Sequence, residues 1–136
     1  MIITRDALVE ENACSAGLRL FDTHFPAGAA TQEEVFEAIA TYAPTSEWQA
    51  WLALKLRLTA TCRKLYSDGQ PSVEATYVEG KRHGLRRTWH PDGKPCAEET
   101  YLDGKLHGLC RTWWADGQPC EEETWANGEF VSTNLR

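Results

Sequence analysis

Residues 61–84 read TCRKLYSDGQPSVEATYVEGKRHG, residues 85–108 read LRRTWHPDGKPCAEETYLDGKLHG and residues 109–132 read LCRTWWADGQPCEEETWANGEFVS. The three segments align without a gap at a period of 24 residues. Self-similarity at a fixed period of this length is the mark of a stacked array, in which neighbouring units share one continuous structure. Two series of turn dipeptides punctuate it. Asp68-Gly69, Asp92-Gly93 and Asp116-Gly117 form one; Glu79-Gly80, Asp103-Gly104 and Asn127-Gly128 form the other. Such pairs between β-prone runs signal hairpins, because Gly and Asn tolerate positive φ. Gly69, Gly93 and Gly117 are therefore structural positions. The expectation is an antiparallel meander of about six strands.

Stacking the units turns positions into columns: Arg63, Arg87 and Arg111 in one, Glu74, Glu98 and Glu122 in another. If each Asp-Gly centres a two-residue turn, counting outward sets Arg63 opposite Glu74, Arg87 opposite Glu98 and Arg111 opposite Glu122. These are structural ion pairs worth a few tenths to about 1 kcal/mol each. The aromatic columns are Leu65, Trp89, Trp113, then Tyr66, His90, Trp114, then Tyr77, Tyr101, Trp125. Alternation puts the first column on one face and the other two on the opposite face. His83-Gly84 and His107-Gly108 recur at one place in two units, which argues for a turn role.

Upstream, residues 1–58 follow a helical grammar. Thr4 caps a short helix through about Glu11, and Asn12 caps a second, with Cys14, Leu18 and Phe21 on one face, ending near His24. Thr31 and Glu34 make a capping box for a third, with Val35, Phe36 and Ile39 as its apolar stripe, stopped by Pro44. Ser46 and Gln49 open a fourth, carrying Trp48, Trp51, Leu52 and Leu56. The fold class is α+β: a helical N-terminal module over 1–58 that also caps an antiparallel β-meander over 59–136, the latter made of three 24-residue hairpin units, 61–84, 85–108 and 109–132.

The whole chain has 136 residues, with 14 Lys and Arg against 20 Asp and Glu, for a net charge of −6. An acidic chain is a poor ligand for nucleic acid, whose recognition rests on phosphate neutralisation. No apolar run reaches the ~18 residues of a membrane span, and the N-terminus lacks a signal-peptide pattern. Five cysteines with no Cys-x-x-Cys pair fit reduced thiols in a cytoplasm, without a metal site or cofactor. Nucleophile, phosphate-loop and metal motifs are absent, so no catalytic residue is assigned and an enzyme is not expected.

The segment YLDGKLHGLCRTWWADGQPCEEETW resembles the MORN repeat, in the variant of the YwqK-like bacterial antitoxin family. The pattern is carried by Tyr77, Gly80, Lys81, Gly84, Trp89 and Gly93, and again by Tyr101, Gly104, Lys105, Gly108, Trp113 and Gly117. The third unit departs after Gly128, where Glu129 replaces Lys, which suggests a terminal cap. The pattern NAC-x-x-GL-x-LF-x-x-x-FP-x-G is similar to helical segments at the front of small phage and prophage proteins. Together the two resemblances imply a mobile-element protein acting by stoichiometric binding, as an antitoxin or an inhibitor of a defence system such as a CRISPR effector.

The expected partner is a protein, with a basic nucleic-acid-binding surface as one option. The acidic, tryptophan-rich end of the array is the candidate surface: Trp113, Trp114, Trp125, Glu121, Glu123, Glu99 and Asp103. The alternative is a MORN-type structural or lipid-associated adaptor, for which Lys81-Arg82 and Arg86-Arg87 are the only dense basic cluster. A meander has two edges, so homodimerisation through the last strand, 129–134, is open to it.

Overall fold

The computed structural model describes residues 1–135. It is α+β, with four short helices and one large antiparallel sheet. The helical module starts with β1 (Ile2–Thr4) and α1 (Arg5–Glu10), followed by α2 (Ser15–His24), β2 (Ala29–Thr31), α3 (Gln32–Tyr42) and α4 (Trp48–Lys55). Strands β1 and β2 pair through Ile3 and Ala30.

Two helix starts follow the sequence reading. The Thr4 hydroxyl accepts from the Ala7 N–H, and Thr31 and Glu34 form a reciprocal capping box. Two differ. Asn12 does not cap α2; at φ 61° it terminates α1, whose Leu8 carbonyl accepts from Ala13 and Val9 carbonyl from Asn12. Cys14 caps α2 instead, its sulfur accepting from Gly17. Ser46 and Gln49 form no capping box. Glu47 stands at the cap without a side-chain bond. Gln49 is drawn away by burial, donating to the Phe36 carbonyl and accepting from the Arg63 N–H.

The large sheet comprises β3 (Ala60–Leu65), β4 (Pro71–Val78), β5 (Lys81–Trp89), β6 (Pro95–Leu102), the two-residue β7 (Lys105–Leu106), β8 (Gly108–Trp113), β9 (Pro119–Ala126) and β10 (Glu129–Leu135). Its order from one edge is β3, β4, β5, β6, β8, β9, β10, with β7 beside β6. Strands therefore neighbour in chain order, as hairpin repeats require.

The two series of turns differ in geometry. Glu79-Gly80, Asp103-Gly104 and Asn127-Gly128 are two-residue turns with both residues at positive φ, the mirror-image type that suits strand twist. The Asp68-Gly69, Asp92-Gly93 and Asp116-Gly117 loops are one residue longer. His90 accepts from Gly93 and donates to Lys94, and only the glycine is left-handed, at φ 90°. The aspartate carboxylate accepts from the N–H two residues on, at 2.9–3.0 Å in all three loops. A bulge lies beside each loop: the pairing shifts between Lys64 and Leu65, Thr88 and Trp89, and Thr112 and Trp113, leaving Ser72, Cys96 and Cys120 as the extra residues on the strands that follow. The longer loop and the bulge offset each other, so the register beyond them matches that of a two-residue turn.

The core lies in the helical module and under the first hairpin. Leu52 and Ala53 of α4 pack with Leu58, Cys62, Ala75 and Tyr77. Among the described residues after Tyr77, none is buried. From β5 onward the sheet is a single layer, solvated on both faces.

The helical module also closes the β3 edge. The Arg63 N–H donates to Gln49 Oε1 at 2.7 Å, the Leu65 N–H to the Pro44 carbonyl at 2.8 Å, and Gln32 donates to the Thr59 carbonyl. These bonds satisfy edge groups that would otherwise template another strand. At the far edge, β10 pairs only with β9 among the described strands.

Candidate functional site

Side chains alternate between an inner face, on which α4 lies, and an outer face. The outer face carries an unbroken charge row across the sheet. Arg63 faces Glu74, Glu74 faces Arg87, Arg87 faces Glu98, Glu98 faces Arg111 and Arg111 faces Glu122. The hairpin pairs close at 2.8 Å for Arg63–Glu74, 3.8 Å for Arg87–Glu98 and 3.2 Å for Arg111–Glu122. Each carboxylate thus lies beside a guanidinium, and the row reads as scaffold.

The inner face changes character along the sheet. One row runs Cys62, Ala75, Arg86, Glu99, Cys110, Glu123, Thr133. Its first two residues are small and buried beneath α4. Where the helix ends, the row becomes charged. Arg86 bonds Glu99 at 2.9 Å, and Glu99 also accepts from the Tyr101 hydroxyl at 2.7 Å. Burial first, and Glu99 second, push the Tyr101 phenol up. Arg82 lies over the Tyr101 ring, 5.4 Å from its centroid, and contacts the phenol oxygens of Tyr77 and Tyr101. Further along, the Trp125 indole donates to Glu123 at 2.9 Å, and the ring meets Phe130 edge-on.

Two shallow grooves follow from this pattern. The first, of about 320 Å³, lies between the flank of α4 and the sheet; Lys64, Arg82 and Arg86 line it together with Trp51 and, among the described residues, a single carboxylate, Glu47, while Arg63 borders it at the β3 edge with its guanidinium on Glu74. The second, of about 180 Å³, lies beyond it and holds Glu99, Glu121, Glu123 and Trp125; Arg111 borders it, its guanidinium paired with Glu122 in the outer row.

The residues that sequence reasoning grouped at the acidic end are therefore dispersed. Glu99, Glu121, Glu123 and Trp125 share the inner face. Trp113 stands in register with the outer row, beside Arg111 and Glu122. Trp114 is 58% exposed beside the 116–117 turn at one end of the sheet, and Asp103 occupies a turn at the other end. The basic cluster also divides: Arg82 and Arg86 line the inner groove, whereas Arg87 pairs with Glu98 outside. Sequence reasoning did not single out Trp51, Lys64 or Arg82 as lining one groove. No local signal joins them, because a helix and two hairpins must dock first.

The repeat itself is tied unit to unit. The N–H groups of Gly80, Gly104 and Gly128 donate to the carbonyls of Leu58, Arg82 and Leu106, each 22 residues upstream. His107 Nδ1 accepts from the Asn127 N–H at 3.1 Å, and Thr59 Oγ1 does the same for Glu79. His83 stands in the equivalent place with a buried Nδ1 that has no hydrogen-bond partner among the described residues. The family model described as a MORN repeat variant matches residues 82–103 and 106–127. These two stretches are similar to the MORN repeat variant, and they start 24 residues apart, the period of the hairpins. No curated protein and no solved structure matches the chain. Among the described residues, no cluster of three metal-ligating side chains occurs, and no helix is long and apolar enough to cross a membrane.

Proposed function

We propose that the protein is a non-enzymatic, stoichiometric inhibitor of mobile-element type, antitoxin-like or directed against a host defence complex, acting in a bacterial cytoplasm. The observation that carries this reading is the uncovered half of the inner face. Glu121, Glu123 and Trp125 stand together on a single-layer sheet, next to Phe130, which is 53% exposed. Carboxylates ringing a large aromatic side chain suit a basic protein surface, with the aromatic as anchor and the charges steering approach. The resemblance of the repeats to the YwqK-like variant and of the N-terminal segment to those of small phage proteins, both read from sequence alone, motivates the same proposal. Glu99 contributes less, because Arg86 already neutralises it.

The test is affinity capture from a bacterial lysate with the wild-type chain and with E121K/E123K, at low and high salt. The expected result is one dominant basic protein, released at high salt and lost from the variant. Capture that is equal for both chains, or absent at both salts, overturns the reading. Co-sedimentation with anionic liposomes in place of protein capture would favour the lipid-adaptor alternative.

A further inference from the structure

The inner face is a step. The helical module forms the raised part over β3 and β4, and β6 to β10 form a bare tread on which no described residue is buried. Charge is segregated along the same axis. Among the described residues, the inner-face charges of the groove at the foot of the step are Lys64, Arg82 and Arg86 against Glu47, and those of the tread groove are the carboxylates Glu99, Glu121 and Glu123, while Arg63 and Arg111 at the groove margins belong to the outer-face pairs. Among the described residues, Arg82 is the groove cation left without a carboxylate, since Arg63, Lys64 and Arg86 pair with Glu74, Glu47 and Glu99. It has only two phenol oxygens and a ring face. A guanidinium offers five donors, and charge-assisted bonds to a carboxylate are its strongest use.

A surface with a step and opposite charges on its two levels is complementary to itself under a two-fold rotation. The raised module of one copy fits the bare tread of the other, and each basic groove meets an acidic one. We propose that two copies of this chain associate through the inner face, with Glu123, Glu121 and Trp125 of each entering the Arg82–Arg86–Trp51 groove of the other. The apolar flank of α4 joins the contact: Leu54 is 49% exposed beside that groove. This association stands apart from any partner of another kind, since it needs only the chain itself. It also occupies the acidic surface, so a foreign partner would compete with the second copy.

The test is sedimentation of the purified full chain at about 0.05 M and about 1 M salt, across a concentration series. The expected result is a dimer at low salt that dissociates at high salt, as contacts between charges beyond a few ångströms are screened. R82E and E123K, each checked for an unchanged circular dichroism spectrum, should each weaken dimerisation by at least about tenfold, because every substitution enters a two-fold contact twice. Mixing the two variants decides the geometry. In the mixed pair one contact is native and the other has its charges exchanged, so dimer should return on mixing. A monomer at all salts and concentrations overturns the proposal. So does a dimer that ignores both variants, or two weakened variants that fail to complement. None of these results depends on whether a foreign protein is captured from a lysate.

Discussion

Gln49 on α4 accepts the backbone N–H of Arg63 on β3 at 2.7 Å, with its own amide donating to the Phe36 carbonyl at 3.1 Å. One buried side chain thereby joins α3, α4 and the first edge of the sheet. Replacing it with Leu leaves the part-buried N–H of Arg63 without its partner and removes the second bond to the Phe36 carbonyl, which keeps its helical one. Such an orphaned donor costs roughly 1–3 kcal/mol. Urea unfolding of Gln49→Leu should show a loss of that order, and Gln49→Glu should not restore it, because a buried carboxylate would set an oxygen against the Phe36 carbonyl where the amide donated.

The glycines of the two turn series should respond differently to alanine. A Cβ on Gly80 would lie 2.8 Å from Arg57 Cα and 3.2 Å from the Ala53 carbonyl, at φ +79°. A Cβ on Gly69, at φ +88°, would meet nothing within 4 Å. Gly69→Ala carries only the left-handed penalty, about 1–2 kcal/mol. Gly80→Ala adds a backbone clash where the sheet docks on α4, and should cost visibly more in thermal unfolding. Equal losses would show that the Gly80 approach is relaxed in solution.

Burial raises the Cys62 thiol to about 12. In the unfolded chain a cysteine ionises near about 8.5. Its folded value is the higher one, so the associated stability is complete below the unfolded value and is lost as pH rises toward 12. The wild type should therefore lose more stability than Cys62→Ala between pH 8.5 and 12. Alkylation of the native protein should modify the exposed Cys14 first and Cys62 last.

Arg87 stands between Glu74 and Glu98 in the outer row. Each exposed pair contributes only about 0.2–1 kcal/mol. Arg87→Glu should cost more than Arg87→Ala, since it sets three carboxylates side by side. Glu98→Arg in the Arg87→Glu background should recover part of the loss, and the difference should shrink in salt. Full additivity of the two changes would mean that the row is not coupled.

Much of the sheet was decided locally. The 24-residue period, the Asp-Gly and Asn-Gly punctuation and the alternation of Arg and Glu follow from residue type, because turn dihedrals and strand pleat act over two to four residues. Even a loop one residue longer than expected left the Arg–Glu register intact, since the following bulge compensates. Capping was legible where a side chain had no other task, as at Thr4 and Thr31. It failed at Ser46 and Gln49, where burial drew the amide to a distant strand.

Tertiary docking decided the rest. Positions 75, 99 and 123 are one column of the repeat, yet they hold Ala, Glu and Glu. Ala75 is 4% exposed because α4 lies on it, whereas Glu99 and Glu123 stand where no helix reaches. A period in sequence cannot say which unit is covered. Nor can it gather Trp51, Lys64 and Arg82, or part Trp113 from Trp125. Those outcomes depend on where the helical module sits on the sheet, and that is set by the burial of Leu52, Ala53 and Leu58 against Cys62, Ala75 and Tyr77 rather than by any local pattern.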